Sequence, residues 1–536
     1  MSSTNAPLPE TALDLQACSV AIVGHTGFVG GTLRDHLPRA ACYNSANIDA
    51  IAGTRHDAIL CAGLPAAKWW INQHPDEDAA NMRVLQGALE TAECGTFVLV
   101  STIDVYDTAA VNQDEDNVTL AAHAYGRHRH AMERWCTARY GARCVILRLP
   151  GLFGVGLKKN VIFDMIHGRA DQLATMSPAS AFQWFDMGEV YGCVAAACAR
   201  GEGGVVNVFT EPVTMTELAA AAFPEYADVI ACNTSATAVR YDVKTVRTPT
   251  GYVQCKADVI RRVVAFAAMQ RKLVQGRGAL LAVSNLAWAP ADDAHALRVL
   301  AKYGIGNVEI APTRYGAWDA VDPGAIKRAV EGAGLVPYSF QAIFYGCPAN
   351  LFDDDGGVAF VDHFKHVLRL AAATGVKRIV FGSPKNRAVR GGATVAQAMA
   401  AAAPVFRTVA EYARGLDPDL VVCFEPNSRQ YGCTFVVSMA EAAAFARLVD
   451  HPNLRVNLDT GNAELEGEAV PDAARLAAPL LGHVQVSMPF LKTLRADDVA
   501  AAALRARFAD VVFSLEMVDA RPADLPRALY AFWGYA

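Results

Sequence analysis

Clustered cysteines are missing from this chain. Thirteen are scattered over 536 residues with no CxxC pair and no regular spacing, which argues against a disulfide framework and for reduced thiols, several of them on apolar runs such as those of Cys61 and Cys423. Long runs of Lys and Arg are missing too, and the net charge is −6, so no nucleic-acid footprint is expected. No apolar run reaches the length of a membrane span. Met1 to Glu10 lacks a basic segment followed by an apolar stretch, so no secretory leader is expected. These absences leave a cytoplasmic enzyme as the natural class, with no nucleic-acid or membrane partner.

What is present is ample core material. Hydrophobic residues make up 53% of the chain and charged residues 19%, a globular balance, and the length calls for at least two domains. From 17 to about 270, apolar runs (Ser19–Val23, Ala58–Cys61, Thr96–Val100, Cys144–Leu149) alternate with helical stretches such as Asp76–Thr91 and His128–Arg139. That alternation predicts a parallel sheet with helices on both faces. Arg271 to Gly278 reads as a basic, glycine-containing linker. The rhythm then restarts with runs at Ala279–Val283, Asn307–Ala311, Val336–Ala342, Arg378–Gly382, Leu420–Glu425, Leu454–Asp459, His483–Val486 and Val511–Glu516. Helical stretches such as Gly392–Tyr412 and Met439–Leu448 lie between them. Eight strands in this length predict a (β/α)8 TIM barrel. The expected order is an N-terminal tail (1–16), a Rossmann-type doubly wound parallel sheet (17–270), a linker (271–278) and the barrel (279–536).

In the first half, Val20-Ala21-Ile22-Val23-Gly24-His25-Thr26-Gly27-Phe28-Val29-Gly30 is a strand, a glycine turn and a helix start. Glycines at 24, 27 and 30 let backbone approach a pyrophosphate where free N–H groups and the helix dipole favour anions. Gly24, Thr26, Gly27, Phe28, Val29 and Gly30 are therefore candidate dinucleotide contacts. Asn44 and Ser45, at the end of the next strand, join them. The acid that commonly holds an NAD ribose is absent from Cys42-Tyr43-Asn44-Ser45, and no arginine clamp for a 2′-phosphate is adjacent. NAD and NADP both stay open.

Further ordered segments carry a resemblance: Leu99-Val100-Ser101-Thr102-Ile103-Asp104-Val105-Tyr106, Ala124-Tyr125-Gly126-Arg127-His128-Arg129, Leu147-Arg148-Leu149-Pro150-Gly151-Leu152-Phe153-Gly154, then Gly156-Leu157-Lys158-Lys159-Asn160. With the glycine turn, this set resembles the extended short-chain dehydrogenases of the NAD-dependent epimerase/dehydratase family. The resemblance implies that Tyr125 exchanges a proton with a substrate hydroxyl or carbonyl, with Thr102 on the same oxygen and Ser101 beside it. A free tyrosine titrates near 10, so a nearby cation is needed to ease its ionisation. The family supplies a lysine four residues on. Arg129 stands there instead, able to hold ribose and steady a phenolate but not to relay a proton.

In the second half, Glu425, Asp459, Gln485 and Glu516 fall at or just after strand-type runs. Catalytic groups of such barrels sit at the C-terminal strand ends. Three carboxylates and an amide or imidazole there would make an oxygen-rich site for Mg²⁺ or Mn²⁺. This half resembles the xylose isomerase-like barrels, which include sugar epimerases, hydroxypyruvate isomerase and dehydroshikimate-type dehydratases. The resemblance implies metal ligation by Glu425, Asp459, Gln485 and Glu516, with Glu425 and Glu516 moving protons around an enediolate. His483 is an alternative ligand or a packed strand histidine. Asn462 stands where sugar isomerases often carry histidine. Lys385 and Arg387, after the fourth strand, read either as cations for a substrate carboxylate or phosphate or as solvated loop charges. Glu309 and Asn427 are expected at the mouth.

The function these readings support is a bifunctional enzyme acting on a carbohydrate or polyhydroxy acid. A nicotinamide-dependent hydroxyl/carbonyl step would be coupled to metal-dependent isomerisation, epimerisation or dehydration. The alternative is one active metal-dependent isomerase or lyase barrel joined to a degenerate nucleotide-binding module. A homo-oligomer is compatible with either.

Overall fold

The computed structural model describes residues 13–201, 203–494, 500–518 and 520–535. Most of the tail expected over 1–16 lies outside the described residues. The chain divides into two compact units, Met1–Arg271 and Lys272–Ala536.

The first unit is built on six parallel strands: β1 (Val20–Val23), β2 (Ala41–Tyr43), β3 (Arg55–Cys61), β4 (Glu93–Thr102), β5 (Cys144–Leu149) and β6 (Gly204–Asn207). Their order across the sheet is β2-β1-β3-β4-β5-β6. Alternate residues serve two cores, as the pleat requires. Val20, Ile22, Ala58 and Leu60 pack with Leu33, Leu37 and Val194 on one face. Ala21, Val23, Ile59 and Cys61 pack with Leu85, Leu89, Met132 and Cys136 on the other. The usual doubly wound order carries one more strand outside the second. Here only a 3-10 turn, Ile48–Ile51, separates β2 from β3, so β2 forms the edge. The chain turns from β2 back across β1 to β3, and the crevice between the carboxyl ends of β1 and β3 is where ligands bind in such sheets.

Helix α1 (Phe28–His36) follows β1 and stops before Pro38, which disfavours helix at Leu37. Helices α2 (Pro75–Leu89) and α3 (Ala124–Tyr140) cover the second face. β6 was not expected from sequence, although its apolar Val205-Val206 lies between a glycine pair and Asn207. Part of the expected linker is helical. Helix α4 runs from Lys256 to Val274, because Arg271, Lys272 and Leu273 are good helix formers and no breaker intervenes before Gly276, at φ +73°.

The second unit is a closed barrel of eight parallel strands: β7 (Leu281–Ser284), β8 (Asn307–Ile310), β9 (Val336–Phe340), β10 (Arg378–Phe381), β11 (Val421–Phe424), β12 (Leu454–Asp459), β13 (Leu481–Val486) and β14 (Phe513–Leu515). Every strand read from the sequence is present within a few residues. Outward-facing aromatic rings pack the helical layer: Phe381 and Phe424 lie 5.7 Å apart, and Phe406 stands 5.5 Å from Phe381 and 5.3 Å from Phe424. The inside is unusual. Such barrels are commonly filled by branched apolar residues, whereas here Glu309, Ser339, His483, Gln485 and Ser514 fill one region, each fully buried. Burial of so many polar groups is tolerated because they bond one another.

Candidate active sites

The glycine turn has the conformation its spacing anticipates. Gly24 sits at φ +84°, and a Cβ there would collide with the carbonyl of Ala62. A Cβ on Gly30 would strike the carbonyl of Gly24, so Gly30 keeps α1 tight against the turn. Gly27 caps α1 without a side-chain hydrogen bond, which leaves the first N–H groups of the helix open to an anion. A cavity of about 1850 Å³ opens there, lined by Gly24, Thr26, Gly27, Phe28, Val29, Asn44 and Ser45. Thr102, Tyr125 and Arg129 line the same cavity. Gly30 is the one candidate dinucleotide contact outside the lining. Asn44 and Asn47 build the loop after β2: Asn47 Oδ1 accepts from the Asn44 amide at 2.7 Å.

Tyr125 lies in the first turn of α3, where His123 caps the helix by accepting from the Gly126 amide at 3.0 Å. The phenol is buried, and burial raises its pKa, with Asp104 adding to the rise. Arg129 and a hydrogen bond to Thr102 act the other way. The Arg129 guanidinium stands 4.9 Å from the centre of the Tyr125 ring. Its Nη2 donates to Asp78 Oδ1 at 2.8 Å and to the Pro65 carbonyl at 3.1 Å. Asp78 is fully buried, and its second oxygen meets His128 Nδ1 at 2.8 Å. Arg129 is thus held by a buried carboxylate that takes up much of the charge a phenolate would use.

Ser101 donates to Glu133 at 2.5 Å, and Glu133 is paired to Arg148 at 2.6 Å. Its hydroxyl therefore supports the sheet rather than a substrate oxygen. Among the cavity residues not singled out from sequence are Lys68, Asp104 and Tyr241. Lys68 Nζ donates to Asp104 Oδ1 at 2.6 Å, and the Tyr241 hydroxyl donates to the same oxygen at 2.7 Å. Asp104 lay in view within the Leu99–Tyr106 segment; Tyr241, distant in sequence, carried no local signal.

In the barrel, Glu425 follows β11, Asp459 ends β12, Gln485 lies near the end of β13 and Glu516 follows β14. Glu425, Asp459 and Glu516 converge and are nearly inaccessible. Burial, then the neighbouring Asp459, pushes Glu425 up to about 8. Burial likewise raises Asp459 to about 6. Glu516 rises well above the carboxylate range through burial and the charges of Asp459 and Glu425. Asn427 and Asn462 both donate to Glu425 Oε1, at 2.6 and 2.8 Å. Ser487 Oγ donates to Asp459 at 2.9 Å.

Gln485 is less free. Its Nε2 donates to Glu309 Oε1 at 2.8 Å, and its Oε1 accepts from Asn457 at 2.5 Å. His483 Nε2 meets Glu309 Oε2 at 2.8 Å, so it is the packed strand histidine and not a group presented to the mouth. Glu309, expected at the mouth, is inside the barrel for the same reason: Ser339, His483, Gln485 and Ser514 occupy its two oxygens. Arg387 is a buried side chain and not a solvated loop charge. Its Nη2 donates to the Glu425 carbonyl at 2.8 Å and to Asn427 Oδ1 at 2.7 Å, with the Phe424 ring 4.7 Å away. Lys385, on the same turn, is exposed. Tyr431 lies close enough to feel the charges of Asp459, Glu516 and Glu425, and its hydroxyl accepts from the Phe490 amide at 3.1 Å.

The donor chemistry of Glu425, Asp459 and Glu516 suits a hard divalent cation, because among the described residues no Lys or Arg side chain pairs with these crowded carboxylates. Among the described residues, no group of three or more His, Cys, Asp or Glu is already set at metal-holding geometry.

Residues 42–177 match the family model described as the NAD dependent epimerase/dehydratase family, and residues 297–521 match that of the xylose isomerase-like TIM barrel. The chain is a fusion of an epimerase/dehydratase-like domain and a xylose isomerase-like barrel, both enzyme families. None of the curated proteins compared with it matches. Solved structures similar to part of the chain include 3-keto-D-glucoside 4-epimerase from E. coli, with 17% identity over 48% of this chain and 98% of that one at a TM-score of 0.41. Another is D-psicose 3-epimerase from Clostridium cellulolyticum H10, with 18% identity over 47% of this chain and 95% of that one at 0.39. A third is UDP-N-acetylglucosamine 4-epimerase from Bacillus cereus, with 14% identity over 46% of this chain and 98% of that one at 0.36.

Proposed function

We propose that the chain is a bifunctional carbohydrate-modifying enzyme. In this reading the first unit interconverts hydroxyl and carbonyl with a nicotinamide dinucleotide, and the barrel isomerises, epimerises or dehydrates at the neighbouring carbon. The observation that carries it is the convergence of Glu425, Asp459 and Glu516, buried and mutually repelling, in a barrel whose companion unit places Tyr125 and Thr102 beside an open helix N-terminus. A carbonyl made in one step acidifies the adjacent C–H for the other, which is a chemical reason for the fusion.

Gly24, Thr26, Gly27 and the start of α1 would hold the dinucleotide, which supplies hydride chemistry when bound. Thr102 would orient the substrate oxygen, and Tyr125 would hold or move its proton. Glu425, Asp459 and Glu516 would hold Mn²⁺ or Mg²⁺, which supplies carbonyl polarisation when bound, while Gln485 stays bonded to Glu309 and Asn457. Glu425, gripped by Asn427 and Asn462, and Glu516 would move the proton at carbon. The clamp of Asp78 on Arg129 favours the second reading, in which the barrel alone turns over and the first unit only binds nucleotide.

The test takes purified protein loaded with Mn²⁺ and the same protein with Glu425→Ala. The variant is expected to lose bound metal; unchanged content sinks the metal assignment. In parallel, Tyr125→Phe should abolish NADH-dependent reduction of a panel of keto-hexoses, and undiminished turnover would show that Tyr125 has another role.

A further inference from the structure

We propose that Thr102, Asp104, Tyr241 and Lys68 form the proton path of Tyr125, taking the relay role that Arg129 cannot fill. This rests on the reading of Tyr125 as an acid/base.

Tyr125 is buried and needs a way to exchange its proton with water. Arg129 offers none. It is held by Asp78 and the Pro65 carbonyl, and a guanidinium does not give up a proton near neutrality. On the other side of the phenol the groups are connected. Thr102 lines the cavity with Tyr125 and, like Arg129, lies near enough to ease the ionisation of the phenol. Thr102 Oγ1 lies 3.4 Å from Asp104 Oδ2 and accepts from the Asp104 amide at 3.1 Å. Asp104 Oδ1 takes both Lys68 Nζ at 2.6 Å and the Tyr241 hydroxyl at 2.7 Å, and these two stand 3.2 Å apart. Exposure rises along the path: Tyr125 is 6% exposed, the Asp104 side chain 17% and the Lys68 side chain 36%. His123 also faces the phenol, with ring centres 6.4 Å apart.

The step balances as proton transfer alone. Once Tyr125 has accepted a substrate proton, its phenol hydrogen passes to the Thr102 oxygen while the Thr102 hydroxyl hydrogen passes to Asp104 Oδ2. The carboxyl gives its proton to water beside Lys68, restoring phenolate and carboxylate. Lys68 and Tyr241 hold the carboxylate in place between transfers. Run backwards, the same path reprotonates Tyr125.

The readout needs neither cofactor nor substrate. In protein labelled with ¹³C at tyrosine Cζ, exchange of the Tyr125 hydroxyl hydrogen for solvent deuterium is followed by its isotope shift, assigned by comparison with Tyr125→Phe. Asp104→Asn and Tyr241→Phe are expected to slow exchange, the former on the order of 10²-fold, the low end of positioned proton transfer. The sign is discriminating. Asp104 makes the phenol harder to ionise, so a purely electrostatic or structural role predicts faster or unchanged exchange on Asp104→Asn. Lys68→Met, at a half-exposed position, gives a third arm that does not disturb the core, and slowing is expected there too. Unchanged or faster exchange in Asp104→Asn, at a retained melting temperature, overturns the proposal. Should Tyr125→Phe keep full keto-hexose reduction, the acid/base reading fails instead, whatever the exchange data show.

Discussion

Replacing Glu425 by Gln should stabilise the metal-free protein, and increasingly so as pH rises. Glu425 is nearly inaccessible beside Asp459, and its carboxyl is pushed from 4.5 up to about 8. Because the folded pKa lies above the unfolded one, the folded state holds the proton more tightly. Stability is then greatest at low pH and falls as pH climbs from about 4.5 toward 8. At neutral pH the loss is the pH interval above the unfolded value, about 2.5 units at 1.36 kcal/mol each, or roughly 3 kcal/mol. Gln has no proton to lose, and its amide oxygen still accepts from both Asn427 and Asn462, but the NH2 group that replaces Oε2 needs an acceptor of its own, which returns about 1 kcal/mol. The net gain near pH 7 is about 2 kcal/mol, a rise of roughly 4–8 °C in the melting of a domain of this size. Thermal melts of EDTA-treated parent and Glu425→Gln, followed from pH 5 to 8, check this. Adding Mn²⁺ should raise the parent and not the variant. A difference between the two that stays flat with pH, or a variant less stable at every pH, would refute the account of the site as crowded carboxylates awaiting a cation.

Gly30→Ala places a Cβ against the Gly24 carbonyl, so α1 must shift from the turn. We expect a lower melting temperature together with weakened NADH binding by fluorescence titration, and binding at parental affinity would show that the turn has room to adjust. Glu133→Gln leaves Arg148 buried without its carboxylate, which should cost about 3–5 kcal/mol in urea unfolding. Hydrogen bonds from Arg148, His130 and Ser101 hold Glu133 below its ordinary value against burial. Its stabilisation is therefore present above about pH 4.5 and lost as pH falls through the folded value, a slope the variant should lack.

The strand order of the barrel and the sheet core was legible because buried parallel strands are near-continuous apolar runs bounded by turns. The glycine turn was legible for a local reason too: Gly24 needs a positive φ and Gly30 needs the absence of a side chain. Glu425, Asp459 and Glu516 stood out since strand ends are visible in sequence and barrel chemistry gathers there. The helical continuation through Arg271–Val274 was not legible because basic residues suit a helix as well as a loop.

What no local pattern could settle were the partners of charges. Whether Arg387 is solvated or sealed under Glu425 and Asn427, whether His483 meets a ligand or Glu309, and which carboxylate holds Arg129 all depend on residues far away in the chain. The sequence by itself determined two α/β units, a glycine turn fit for a pyrophosphate and carboxylates at successive strand ends, since these follow from short-range periodicity and backbone sterics. Only the tertiary structure decided that Asp78 restrains Arg129, that Asp104 joins Tyr241 and Lys68 beside Tyr125, and that Gln485 is bound inward to Glu309. Hydrogen bonds and buried charges are satisfied through space, and the low dielectric that sets their strength exists only once the chain is folded.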